Sequence, residues 1–262
     1  MRLPKNLLNP GTYTKPQIFL CETDKTKIAQ LDTIENKGSF KFNSYSELSF
    51  EIARTYNDIL TGETKINPFY YLVESPRLIL LENFGYFEIQ GPDLKSDGIK
   101  EIKSVTSYSL EYTLSTKFLK DFNINTGKVD SLEVLNATNP DNITPIVLYN
   151  QSNQKLSLLH LVLEDAPGWK IGHVDVSLQT LSRQFEVDRE SVYDFLINEV
   201  CEKFNCYIVF DTFNNEINVY AESLTSKFIG DGSTNTFTIS PPFAQPHRRS
   251  RRRTWRSPAG PP

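Results

Sequence analysis

VYDFLINEVCEKFNCYIVFDTFNNEINVYAES, residues 192–223, is the stretch whose reading decides the fold. Val192, Phe195, Leu196, Val200 and Phe204 recur at helical spacing, and Asp194, Asn198 and Glu202 fall on the opposite face. Near Asn205 the period changes from about 3.6 to 2. Cys206, Ile208 and Phe210 alternate with Tyr207, Val209 and Asp211, and Glu216 to Ala221 repeats the alternation after Thr212, Phe213, Asn214 and Asn215. The pattern predicts one amphipathic helix, capped by Asp188 or Ser191, followed at once by a β-hairpin. Such a unit is a packing device and carries no chemistry by itself.

Working outward, residues 1–125 read as a β-rich domain. Short strands are expected at 17–21 and 27–31, with further period-2 patterns through Phe40 and Phe42 and through Leu48, Phe50 and Ile52. More strands are expected at 70–73, 77–81 and 86–90, and an extended segment at 100–114. Strands at this spacing suggest a barrel or a curved sheet. Residues 126–154 are polar with Asn-Pro and Thr-Pro signals and read as a loop or linker. Residues 155–225 read as a small α/β domain with a first helix at 158–164, capped by Ser157, and a strand at 169–176. Residues 226–246 open a further β module, and 247–262 form an Arg/Pro tail. The expected fold class is therefore α+β and β-rich: a barrel-type domain followed by a small helix-plus-hairpin domain.

The chain of 262 residues has a formal charge of −4, which hides two compositions. HRRSRRRTWRSPAGPP, residues 247–262, holds six arginines and no acid, so the remaining body carries 22 basic against 32 acidic residues. A body at −10 is not expected to bind a duplex, because neutralising phosphates takes clustered Lys and Arg. The tail reads either as a basic arm for nucleic acid or as a frame error into foreign sequence; its abruptness favours the second. The opening MRLPKNLLNPGTY has no apolar core of a signal peptide, and the longest apolar run, 78–81, is too short to cross a bilayer, so no membrane anchor is expected. Three scattered cysteines, Cys21, Cys201 and Cys206, read as reduced thiols in a cytoplasmically made protein. The sequons at Asn136, Asn142 and Asn150 mean little without a secretory route.

No constellation reads as an active site. His160 lies in an apolar helix and is expected to be packed and hydrogen-bonded. His173 and Asp175 share a strand face and superficially suit an acid–base pair, but no nucleophile or third orienting group joins them. Cys201 and Cys206 straddle the helix–strand junction at a spacing that matches no zinc pattern. Asp231 in GDGST lacks the alternating acids of a calcium loop, His247 falls in the tail, and no phosphate loop is present. Trp169, Tyr70, Tyr71 and Tyr86 could stack on sugars, although aromatics on strands are usually core or sheet surface. The expectation is therefore no catalytic residue, no metal and no cofactor.

RLILLENFGYFEIQ (77–90), SDGIKEIKSVTSYSLEYTLSTKFL (96–119), LLHLVLEDAPGWKIGHVD (158–175) and SVYDFLINEVCEKFNCYIVFDT (191–212) resemble the N-terminal part of phage and prophage tail-tip proteins. GDGSTNTFTIS (230–240) resembles strand openings in such proteins. The family is that of baseplate hubs, often labelled prophage endopeptidase tail or tail-associated lysin. The resemblance implies a trimeric hub whose barrel domains form a ring at the virion tail tip. It also implies assembly in the bacterial cytoplasm, docking to the distal tail protein, and a place beside the tape-measure protein. In relatives a longer C-terminal region carries receptor binding or a peptidoglycan-cleaving domain, so this chain is expected to be truncated and non-enzymatic. Two alternatives stay open: a peptidoglycan-degrading endopeptidase whose catalytic part is missing, and a carbohydrate-binding module for host cell-wall glycans.

Overall fold

The structure, a computed structural model, describes residues 16–41, 44–96, 98, 100–135 and 144–222. Within residues 1–222, which form one compact unit, the described part is α+β and β-rich. The N-terminal strands are β1 (Ile18–Cys21), β2 (Lys27–Gln30), β3 (Asn36–Ser39), β4 (Glu47–Ala53), β5 (Thr55–Asn57), β6 (Thr64–Ile66), β7 (Leu78–Leu81), β8 (Gly85–Ile89), β9 (Asp93–Ser96) and β10 (Glu101–Ser109). Eight of them form one sheet in the order β2-β1-β7-β8-β10-β4-β3, with β9 paired to the start of β10; β5 and β6 form a separate hairpin. Period-2 burial is clearest in β4, where Leu48, Phe50 and Ile52 point inward and their neighbours do not.

Barrel closure by hydrogen-bond ladder, which the strand spacing suggested, is not found among the described residues: the path ends at β2 on one side and β3 on the other. The sheet is nevertheless strongly curled. Leu31 donates to Ile18 O beside β1, and Ile34 donates to Glu51 O beside β4. Six strand spacings of a flat sheet would separate those two lines by about 29 Å. Three residues of chain reach at most about 10 Å. Bending therefore brings the edges together, and the covalent connection 31–35 bridges them. Inside the curl pack Leu20, Leu48, Phe50, Ile52, Ile79, Leu81, Phe87, Ile89 and Val105.

Three N-terminal expectations need correction. Residues 70–73 form no strand: residues 68–72 turn, Tyr70 and Val73 are buried, and Lys103 Nζ donates to Tyr70 O (2.7 Å) and Val73 O (3.1 Å). That inward-facing lysine explains why the buried turn was unreadable, since its partners are carbonyls 30 and 33 residues away. The extended segment stops at Ser109, and Leu110–Thr116 is a 3-10 helix. Phe40 falls just past β3 and stacks on Phe84 at 4.8 Å, whereas Phe42 lies outside the described residues.

The second core is built from β11 (Phe118–Ile124), α1 (Leu132–Leu135), α2 (Leu158–Glu164), β12 (Lys170–Val174), α3 (Val176–Gln179), β13 (Phe185–Ser191), α4 and a hairpin, β14 (Cys206–Asp211) and β15 (Glu216–Ala221). Helix α4 runs without a break through α-helical Val192–Asp194, π-helical Phe195–Val200 and α-helical Cys201–Phe204. Ser191 caps it, its Oγ accepting from Asp194 N at 3.0 Å, and Asn205 ends it in the left-handed conformation at φ +51°. β15 lies between β14, antiparallel, and β12, parallel. β11 pairs with β13 instead of joining the N-terminal sheet, so residues 118–124 belong to this core. The polar stretch after Asn125 is pinned rather than loose where it is described. Asn125 exchanges bonds with Ile146 N and O, and Ile146 and Leu148 are fully buried.

Candidate functional site

The outer face of β1 and β7 is also apolar: Cys21, Leu78, Leu80 and Leu110 form a second layer against Phe19, Tyr86 and Trp169. Trp169 touches this layer and the second core at once, so the helix-and-hairpin unit covers the back of the curled sheet. Two polar clasps lock that contact. Lys25, in the β1–β2 turn at φ +72°, donates from Nζ to Thr212 O (2.8 Å), Phe213 O (2.9 Å) and Asn215 Oδ1 (2.8 Å) of the β14–β15 turn. Thr212 Oγ1 in turn accepts from Tyr86 N at 2.9 Å, and Phe213 meets the Tyr86 ring edge-on at 5.7 Å. Lys25→Ala removes the first clasp; a fall of about 1–2 kcal/mol in unfolding free energy is expected in urea titration, because three donor bonds from a half-buried ammonium are lost. An unchanged midpoint would show the clasp to be ornamental.

Against this frame the sequence-derived candidates take structural places. His173 Nε2 and Asp175 Oδ1 do meet, at 2.8 Å, on an exposed edge. Asp175 also accepts from Ala221 N at 2.7 Å and donates its own N–H to Val219 O, so the pair ties the end of β12 to the end of β15. The bond to His173 is the main reason its carboxyl lies below the usual range. Neither side chain bonds a serine, threonine or cysteine among the described residues. His160 Nδ1 bonds Ser157 Oγ at 2.8 Å and its ring stacks on Tyr149, with burial lowering its basicity. Ser157 sits at the cap position of α2, but its hydroxyl serves His160 instead of a backbone N–H.

Cys201 and Cys206 are buried free thiols, and the neighbouring Cys206 thiol, followed by burial, pushes the Cys201 thiol up. No group of three His, Cys, Asp or Glu suited to a metal occurs among the described residues. Asp231 and His247 lie outside them. Of the four aromatic candidates, Tyr70 is buried, Trp169 packs edge-on against Phe210 and bonds Thr113 Oγ1, Tyr86 lies under Lys25 and Phe213, and Tyr71 is exposed.

Two surface features escaped the sequence reading. The β5–β6 hairpin holds a hydrogen-bonded turn, with Asp58 Oδ1 accepting from Leu60 N (2.8 Å) and Lys65 paired to the same carboxylate; its tip presents Ile59 (99% exposed) and Leu60 (95%). The outer face of the three-stranded sheet carries a row of rings: Tyr207 stacks on Tyr220 at 5.3 Å, and Tyr220 lies tilted against His173 at 5.1 Å. The hairpin was missed because TYNDILTGETKI has only one strong turn signal and no alternation long enough to register.

No family model and no curated protein matches the chain. Among solved structures, prophage tail protein gp18 from Listeria monocytogenes EGD-e is similar to it with a TM-score of 0.50 and 12% identity, over 81% of this chain and 53% of that one. The two chains share a fold over that region. The 43 kDa tail protein of prophage MuSo2 from Shewanella oneidensis gives a TM-score of 0.47 and 12% identity, over 81% of this chain and 57% of that one. The chain thus spans little more than half the length of either tail protein.

Proposed function

We propose that this chain is a structural subunit of a phage tail, working at the tail tip as part of a hub ring. The single observation that carries the reading is the fold shared with prophage tail protein gp18. Two features of the molecule support it. The clasped contact holds the curled sheet and the helix-and-hairpin unit together, which suits a load-bearing part. The β5–β6 hairpin exposes two aliphatic side chains that a neighbouring subunit would bury. A closed heterologous ring of three copies, docked to the distal tail protein and next to the tape-measure protein, is the arrangement proposed.

Co-expression of the full chain with the distal tail protein, followed by light scattering on the purified complex, tests it. A threefold complex is expected, and Ile59→Asp combined with Leu60→Asp should reduce assembly while leaving the circular dichroism of the free chain unchanged. A stable monomer that ignores the distal tail protein would overturn the reading.

A further inference from the structure

Cys201 sits in the last turn of α4, and Cys206 opens β14. Between them Asn205 holds the left-handed conformation, its N–H reaching Cys201 O and Glu202 O. A left-handed helix end of this kind brings the side chain one place beyond it back onto the residue four places before it. Here both of those residues are cysteines. Cys206 Sγ lies 3.8 Å from Val200 O, against the peptide bond that leads into Cys201. Both thiols are free and buried in the second core. Cys21, the third cysteine of the chain, belongs to the separate layer it forms with Leu78, Leu80 and Leu110.

We propose that Cys201 and Cys206 are an oxidisable dithiol, which a small-molecule disulfide of the glutathione class converts into a disulfide across the end of α4. One cysteine, as its thiolate, attacks the oxidant: its sulfur bonds one oxidant sulfur, the oxidant S–S bond breaks, and a small thiolate leaves and takes a proton from water. The second cysteine gives its proton to water and attacks the mixed disulfide, so that the Cys201–Cys206 bond forms and a second small thiolate leaves. Two protein thiols lose two electrons, and one oxidant molecule is reduced to two thiols. The product ties α4 to β14 around Asn205, at the junction where helix gives way to hairpin.

Access and geometry act in opposite directions on this pair. Only a thiolate attacks, and the neighbouring Cys206, followed by burial, holds the Cys201 thiol above its ordinary range. The closed fold therefore reacts slowly, through opening of the last turn of α4. Equilibrium follows the geometry instead. The helix end already sets the two side chains together, whereas an unfolded chain must lose freedom to bring them there. Whatever factor the fold adds to the stability of the bond, the bond returns to the fold.

Equilibration of the full chain with reduced and oxidised glutathione, approached from both the reduced and the oxidised protein, in buffer and in urea, tests the dithiol. In buffer the product should be lighter than the reduced chain by about 2 Da, the mass of two hydrogens. Of the three thiols of the chain it should keep only that of Cys21. Peptide mapping should join Cys201 to Cys206. The equilibrium constant for closing the bond should be about 10-fold or more larger in buffer than in urea. The oxidised chain should also unfold at higher urea than the reduced one. An equal or smaller constant in buffer overturns the proposal, because the fold would then oppose the bond. A product that stops at the mixed disulfide, or one that pairs Cys21, overturns it too. All of these readings come from the wild-type chain, so none depends on a variant that has to fold.

Discussion

Gly85→Ala is expected to cost about 3 kcal/mol or more of unfolding free energy, enough to remove much of the soluble protein. Two independent causes act at this one position. Its φ of +146° lies in a region that side chains other than glycine's rarely adopt. A Cβ there would also stand 2.3 Å from Thr212 Oγ1, the atom that accepts from Tyr86 N. The hairpin turn and the start of β8 approach so closely because the hydroxyl has to reach a strand amide. Thr212→Ala separates the two causes. In that background the Gly85→Ala penalty should shrink by the clash and keep the backbone strain, since the Thr212 Cβ is 3.6 Å away and makes ordinary contact. Urea midpoints of the four proteins read this out. An equal penalty in both backgrounds would mean the hairpin does not sit on β8 as described.

Phe195→Ala is expected to be nearly as damaging, by about 3–5 kcal/mol, because it empties the middle of the second core. Phe195 has no exposed surface and meets Phe122 at 5.5 Å and Phe185 at 5.1 Å, both edge-on. Those rings come from β11 and β13, so the cavity would lie where three elements converge. Asn198→Ala, one turn away on the exposed face, should change stability by less than about 0.5 kcal/mol. Similar urea midpoints for the two variants would show that α4 does not bury the face assigned to it.

Much of α4 and its hairpin was legible because the information is local. Ser191, the spacing of Val192, Phe195, Leu196, Val200 and Phe204, and the left-handed Asn205 all act within a few residues of one another. The legibility had a limit within the same helix. Tyr193, Ile197 and Cys201 are buried too, because the π-helical middle and coverage from two sides widen the apolar face beyond a simple stripe. The side chains weighed as chemical candidates were placed less well than the elements. His173 and Asp175 were paired correctly from their spacing, whereas Tyr70, expected on a strand as core or sheet surface, is buried in a turn beneath Lys103.

By itself the sequence determined the fold class, most β-strands of the curled sheet, the helix–hairpin order and the family resemblance, since period, caps and turn residues operate over a handful of positions. Only the tertiary structure decided how the sheet curls, that 118–124 pairs with 185–191, that Lys25 clasps a turn nearly two hundred residues away, and that Tyr45, Tyr108, Tyr112 and Tyr193 meet in one aromatic cluster. Each of these depends on groups far apart in the chain meeting where water is excluded. A hydrogen bond or a charge acquires its value there from surroundings that no local pattern records.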